Sequence, residues 1–352
     1  MTLPTLTHYA NCDEYHKILC PQMPDFLQPY LKLQMLQRLR GIGLLCGTDW
    51  TPLYKNRFFY SRYDHSVGTA LIAWNFTHDK KQTLAALFHD IATPAFSHVN
   101  DFRTGDTLKQ EATEEGTSGI LASNTELMEL LAKDGINLCD IDNYHIYPVC
   151  DNEVPSLSAD RLEYMFPSGM ALEGLWSLAE IKAEYNDISV LTNENGYIEL
   201  GFSTMELAEH YCVNACKVGL VLQKNENKLA LNLLGEILNK SLCKGITKES
   251  DFFTKSEREL LELFIKEAES NSTTEFASLL RTFLSMKNIL HTNEAMPSSY
   301  CVNLSVKKRY INPLVKTGDK TARISTISKV AKDYVDYFLN FEDSKYGCVS
   351  LL

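Results

Sequence analysis

The sequence predicts a mainly α-helical fold with a small β element towards its C-terminus. Three observations carry this. Apolar residues recur at helical spacing through most of the chain. Glycine and proline are sparse and dispersed, 17 and 11 among 352 residues, with no internal repeat and no low-complexity segment. One region changes period: Tyr300, Val302, Leu304 and Val306 alternate with Cys301, Asn303, Ser305 and Lys307, the spacing of a strand.

Taken in order, residues 27 to 40 carry apolar residues at helical spacing, interleaved with Gln and Arg. Residues 66 to 76 and 81 to 89 form two further apolar helical stretches, separated by the polar turn Thr77-His78-Asp79-Lys80. Others run from about 115 to 133, 171 to 184, 204 to 223, 228 to 243, 255 to 269 and 273 to 287. Pro94, Pro148, Pro155, Pro167 and Pro297 fall between these stretches, where a helix can stop. Residues 195 to 202 fit a short strand. Arg309 to Val315 and Arg323 to Ile327 are candidates to pair with the alternating stretch, and Lys329 to Leu339 returns to helix. A composition shift through Asn193-Glu194-Asn195-Gly196 divides the chain into residues 1–190 and 191–352.

Hydrophobic residues make up 45% and charged residues 22%, the balance of a globular protein able to bury a core without disulfide staples. Disorder, collagen-like structure and coiled coil are excluded. No run approaches the roughly 18 consecutive apolar residues that a membrane span needs. Met1-Thr2-Leu3-Pro4-Thr5 lacks the basic stretch followed by an apolar one that marks a signal peptide. The ten cysteines include no CxxC pair and read as scattered reduced thiols. Cys212 and Cys216, four apart on a helix face, read as core packing rather than metal ligands. The compartment expected is cytoplasmic. A net charge of −11 and a pI near 5.4 repel duplex nucleic acid, yet leave room for a small anionic ligand in a locally basic pocket.

The informative stretch is Arg62-Tyr63-Asp64-His65-Ser66, followed 24 residues after His65 by Leu87-Phe88-His89-Asp90-Ile91. Asp160 follows in Ser158-Ala159-Asp160-Arg161-Leu162. An adjacent His-Asp pair closing the apolar run Leu84, Ala85, Leu87 and Phe88 must find partners or bind something. A divalent cation meets that need, because neutral imidazole and carboxylate suit Zn, Mn, Fe, Ni or Co and the cation offsets the cost of burying a carboxylate. A helix starting near His65 could add a second imidazole and Asp160 a second carboxylate, leaving positions open for water and substrate.

The ordered set H…HD…D, with an Arg three residues before the first His, resembles the HD superfamily of metal-dependent phosphohydrolases. Within it, the pattern is most similar to the deoxynucleoside-triphosphate triphosphohydrolase-like branch. Gln37-Arg38-Leu39-Arg40 resembles that branch's QRLR helix, and Arg62 to Gly68 its RFEHSLG segment. His89-Asp90-Ile91-Ala92-Thr93-Pro94-Ala95-Phe96-Ser97-His98 resembles its HDxxHxPFSH segment. The resemblance covers roughly residues 30 to 170 and implies an HD-domain helical bundle over residues 1–190. The mainly helical remainder, with a small β-hairpin, would be long enough to supply the interface of a homo-oligomer.

By position, the resemblance implies His65, His89, Asp90 and Asp160 as ligands of one divalent metal ion (Mn, Fe, Zn, Ni, Co or Mg). His98 and Asp101 would handle protons. Arg62 would contact a phosphate oxygen as a catalytic and substrate-binding group, and Arg161 and Tyr164 would contact substrate. Taken alone, Asp160 also fits a helix N-cap, Asp101 a turn running to Gly105, and Arg161 and Tyr164 an ordinary amphipathic helix. Lys307-Lys308-Arg309 reads as a solvated strand edge, and His8, His16, His78, His145, His210 and His291 as structural. Dinuclear relatives need further His ligands between the HD pair and the last Asp. Only His98 and His145 lie there, which favours a single metal.

Three positions depart from the branch. Thr93 stands where it has a His. Thr113 stands where a His opens its later HEQGS motif, although Glu114 and Gly116 keep the rest, and Leu44 replaces a Gln. Hydroxyls are poor general acids, so a triphosphate substrate is left open. The activity implied is hydrolysis of a phosphate ester or anhydride of a nucleotide or similar phosphorylated metabolite through a metal-activated water. A nucleotide-binding sensor and a 5′-nucleotidase-type phosphomonoesterase are the alternatives.

Overall fold

A computed structural model describes residues 1–108 and 116–352. The chain is mainly helical, with two small sheets among the described residues. None of the described helices is long and apolar enough to cross a membrane.

The helix Arg62–Thr77 begins at a capping box: Ser61 Oγ accepts from the Asp64 N–H at 3.1 Å, while the Asp64 side chain accepts from Ser61. It is buried on nearly every face and stops at His78, which adopts the left-handed conformation (φ 50°). The Asp79 carboxylate then accepts from Lys81 N–H at 2.8 Å and starts the next helix, Lys80–Phe88. This two-residue connection folds the pair into an antiparallel hairpin whose far end presents His89 and Asp90 beside the first turn of its partner. The helix Ala159–Leu172, capped by Ser158, packs across the first of these and delivers Asp160 in its opening turn.

Two apolar clusters form the interior. One joins Leu36, Ile72, Phe88, Ile91, Leu162, Phe166, Tyr211 and Phe338. The other joins Trp50, Ala95, Phe96, Leu233, Phe264 and Phe283. The stretch from Phe88 to Phe96 crosses from the first to the second, so the His-Asp pair lies where the two meet.

The strands are β1 (Ile188–Thr192), β2 (Ile198–Phe202), β3 (Leu290–Thr292), β4 (Ser299–Val302), β5 (Leu314–Thr317), β6 (Lys320–Arg323) and β7 (Tyr346–Ser350). They form sheets of order β1-β2-β5-β6 and β3-β7-β4. β1 and β2 pair antiparallel with Val190 opposite Leu200, and β2 runs parallel to β5 with Phe202 opposite Val315.

Several expectations need correcting. Residues 27 to 40 are not one helix: Leu33 is extended between Leu27–Leu31 and Gln34–Gln37, and a tighter 3₁₀ turn follows over Arg38–Gly41. The helix expected over 171 to 184 is two, broken at Gly174 (φ 65°) and restarted by the capping box of Ser177 and Glu180. The helix expected over 115 to 133, whose first residue lies outside the described ones, likewise divides at Asn124, whose side chain caps Thr125–Asp134. Pro167 lies inside Ala159–Leu172 instead of ending it. Its missing N–H leaves the Glu163 carbonyl to accept from the buried Tyr15 hydroxyl, at 3.4 Å. The alternating stretch is a strand only to Val302, and β4 pairs with β7 instead of the segments from 309 or 323. Residues 303–313 form no strand, and Ile324–Ile327 is helical. Finally, Cys301 and Cys348 are bonded to each other, and the register of β4 on β7 sets them directly opposite. Cys212 and Cys216 are buried thiols in the core, as read.

Candidate metal centre

His65 projects from the first turn of Arg62–Thr77 into a cavity of about 550 Å³ that Asp90, His89 and Asp160 also line. The His65 and His89 Nε2 atoms are 3.2 Å apart, and Asp160 Oδ1 lies 3.1 and 3.6 Å from them. Asp90 Oδ2 is 3.6 Å from both. The donor atoms of His65, His89 and Asp160 all fall within 4.8 Å of one another.

The other ring nitrogen of each histidine is already occupied. His89 Nδ1–H donates to the Ala86 carbonyl at 2.7 Å, and His65 Nδ1–H donates to the fully buried Glu163 carboxylate. In their neutral form both rings would aim Nε2 lone pairs at the same region, which the Asp160 and Asp90 carboxylates also approach. Such a constellation of acceptors needs a cation at its centre. Burial works against the imidazolium of His65, but Glu163, Asp160 and Asp90 outweigh it and push the group up to about 10. Burial opposes ionisation of Asp90 and Asp160 too, yet Arg62 and the two imidazoles hold Asp90 well below its ordinary value, and the imidazoles do the same for Asp160. The same anionic field that captures a proton captures a divalent metal, and an N/O donor set of two imidazoles and two carboxylates fits one.

The surrounding groups fix this geometry. Arg62 Nη1 holds Asp90 Oδ2 at 2.6 Å and its Nε reaches Ser97 Oγ at 3.2 Å, so in this state Arg62 grips the Asp90 carboxylate. Thr93, at the position where the resembled branch has a His, donates to Asp90 Oδ1 at 2.9 Å and orients the same carboxylate from the other side. Arg38 ties down the loop by donating to the carbonyls of Ile91 and Thr93, each at 2.9 Å. Leu44 lines the cavity, whereas Thr113 and Glu114 lie outside the described residues.

His98 reaches the same cavity from a turn in which Phe96 and Ser97 are both left-handed (φ 64° and 50°). That turn is held from the C-terminal third: the buried Glu257 carboxylate accepts from Phe96 N–H at 3.1 Å and Gly43 N–H at 3.0 Å. His98 Nδ1–H donates to the fully buried Asp101 at 2.8 Å, which fixes its tautomer. Burial foremost, then Arg309, lower its basicity.

Arg161 and Tyr164 line the cavity as expected from Ala159–Leu172. The Arg161 guanidinium is engaged by Asn152, the Ser156 carbonyl and Asp151, so it braces the 151–156 loop. Four residues escaped the sequence reading. Glu163 looked like any acidic residue on an amphipathic helix. Its clue is Gly68, three residues after His65, where any side chain would overlap the Glu163 carboxylate. Tyr144 lies with its ring centre 5.0 Å from that of His89, and His145, read as structural, packs against it at a tilt of 39°. Arg309, read as part of a solvated edge, donates to His98 Nε2 at 3.3 Å.

No known protein-family model matches the chain. An uncharacterised protein of Bacillus subtilis strain 168, YdhJ, is 27% identical over 139 residues, covering 39% of this chain and 41% of that protein. The metal-dependent phosphohydrolase cns2 of Cordyceps militaris is 30% identical over 129 residues, 37% of this chain and 36% of that protein. The matched region thus spans about two fifths of either relative. Among solved structures, a hypothetical protein from Aquifex aeolicus superposes with a TM-score of 0.61 at 14% identity, over 93% of this chain and 92% of that one. A phosphohydrolase from Bacteroides thetaiotaomicron does so with a TM-score of 0.64 at 12% identity, over 99% and 100%. The chain therefore shares its fold with these two structures, and over part of its length it is similar in sequence to a metal-dependent phosphohydrolase.

Proposed function

We propose that the chain is an HD-type metal-dependent phosphohydrolase acting on a nucleotide or a similar phosphorylated metabolite. The observation that carries this reading is the convergence of His65, His89 and Asp160 on one point, with Asp90 Oδ2 3.6 Å from both imidazoles, in a cavity that also holds His98, Arg62 and Arg309. A divalent cation bound by those four residues would supply a water of lowered pKa and polarise a phosphoryl oxygen.

The remaining groups follow from their contacts. Asp90 is positioned by Arg62 and Thr93, and His65 by Glu163. His98, neutral and oriented by Asp101, takes a proton at Nε2. Tyr144, Tyr164 and Tyr310 give the cavity aromatic walls that suit a nucleoside. The similarity to cns2 and the shared fold with a phosphohydrolase support the reaction class.

The test is metal content by mass spectrometry together with phosphate release from a nucleotide panel, on wild type and Asp90→Ala. About one transition metal per chain and metal-dependent phosphate release, both lost in Asp90→Ala, are expected. Wild-type rates in Asp90→Ala would overturn the reading.

A further inference from the structure

We propose that Tyr54 makes the site selective for a nucleotide over a simple sugar phosphate, by donating a hydrogen bond from its buried hydroxyl to an acceptor atom on the substrate's heterocyclic base. The inference rests on the phosphohydrolase reading and names the part of the cavity that takes the rest of the substrate. Both apolar clusters reach the cavity. Tyr144 and Tyr164 pack in the first: Tyr144 stands against His89, and Tyr164 lies one turn beyond Asp160 on Ala159–Leu172. Phe102, Leu231 and Val306 belong to the second, and Cys46 and Tyr54 pack against it. The first cluster thus backs the metal centre, and the second supplies a separate apolar wall. A phosphoryl group held at the metal leaves that wall to the uncharged remainder of the substrate.

Tyr54 brings a polar atom to this wall. Its hydroxyl oxygen is buried and has no hydrogen-bond partner among the described residues. Of the buried polar side-chain atoms left in that state, it is the one whose residue lines the cavity. A hydroxyl buried without a partner is costly, and an acceptor carried in by a ligand removes the penalty. The surroundings keep the group a donor. Burial foremost, then the Glu226 carboxylate in the first turn of Asn225–Cys243, hold the hydroxyl far above its ordinary value, so it stays protonated. Glu226 is itself held by His291, whose Nε2–H donates to its Oε1 at 3.0 Å, and it makes no hydrogen bond to Tyr54. Asn227, next in the chain, lines the cavity together with Tyr54. The chemical class recognised is an uncharged planar base, with a carbonyl oxygen or ring nitrogen to accept from Tyr54 and an apolar face for Phe102 and Leu231. A sugar phosphate that lacks a base leaves the hydroxyl unpaired, and a site built around a buried donor rejects such an analogue.

Calorimetric binding of adenosine, guanosine, cytidine, uridine and ribose 5-phosphate, each added alone to the metal-loaded full chain, tests this. Wild type should bind at least one of the nucleosides. Tyr54→Phe, which keeps the ring and its packing, should bind that nucleoside about 2- to 10-fold more weakly, the loss expected for a neutral hydrogen bond, with a smaller change for ribose 5-phosphate. Equal nucleoside affinity in Tyr54→Phe and wild type would overturn the assignment, as would equal losses for the nucleoside and for ribose 5-phosphate. A wild type that binds ribose 5-phosphate and none of the nucleosides would overturn it too. In each of those cases, metal-dependent phosphate release that Asp90→Ala loses would leave the phosphohydrolase reading standing. If wild type binds none of these compounds and releases phosphate from no ester, both fall.

Discussion

Glu163 does for His65 what the Ala86 carbonyl does for His89: it accepts the hydrogen bond from Nδ1–H and leaves Nε2 to face the centre. A carboxylate does this more strongly than a carbonyl, and it also raises the basicity of the ligand nitrogen. Tyr60 donates to the other Glu163 oxygen at 2.7 Å and keeps it in place. Glu163→Gln is therefore expected to weaken metal affinity about 10- to 100-fold without emptying the site, measured by competition against a chelator. Unchanged affinity would mean that His65 is not a ligand through Nε2. The residues proposed as ligands were legible because an HD pair after an apolar run, with Arg62 and His65 upstream, is chemically conspicuous. Glu163 was not, since its significance lies in a partner 98 residues away.

At the scale of elements, capping and close approach decide where the ligands point. Ser61 fixes the first turn of Arg62–Thr77, the turn that carries both Arg62 and His65. Gly68, one turn further, lets Ala159–Leu172 come close enough for Glu163 to reach His65. Gly68→Ala is expected to cost about 1–3 kcal/mol of stability, the range for overpacking a core, and to weaken metal binding as well. Ser61→Ala is expected to cost about 1 kcal/mol for the lost cap, with a smaller effect on metal. Chemical denaturation and chelator competition on the two variants separate these effects. Equal metal affinity in Gly68→Ala and wild type would refute the link between helix approach and the metal centre. Most helices were legible from their apolar period, whereas the caps that divide them at Asn124 and Ser177 were not read. The strand from Tyr300 to Lys307 was overextended, because alternation persists past Val302 where the chain serves instead as the segment presenting Arg309.

At the scale of the whole molecule, buried acids tie the N-terminal and C-terminal parts together. Glu257 reaches from the helix Glu257–Ser270 to the backbone of Gly43 and Phe96 and to Trp50 Nε1 at 2.6 Å, and Asp49 lies beside it. Burial foremost pushes Asp49 up to about 6 and, with Asp49 as a second cause, Glu257 up to about 8. Both folded-state values stand above the unfolded ones, so the stability they contribute is complete below about pH 4 and is lost as pH rises through 6 and then 8. Thermal stability of the metal-loaded chain should accordingly fall between about pH 4 and 8. Asp49→Asn, which removes a charge facing Glu257, should flatten that slope. An unaltered slope in Asp49→Asn would show that this pair does not govern it.

The sequence by itself determined the helical class and singled out His65, His89, Asp90 and Asp160 as the groups to which a metal chemistry could be assigned. These depend on residues close in the chain, where period, caps and side-chain chemistry act over a few turns. Only the tertiary structure decided which groups complete the centre. Glu163 on His65, Thr93 on Asp90, Glu257 under the His98 turn and Arg309 across from it are contacts set by packing. The physical reason is range: a hydrogen bond or ion pair reaches a few ångströms through space, and the distance along the chain that separates its partners leaves no local mark.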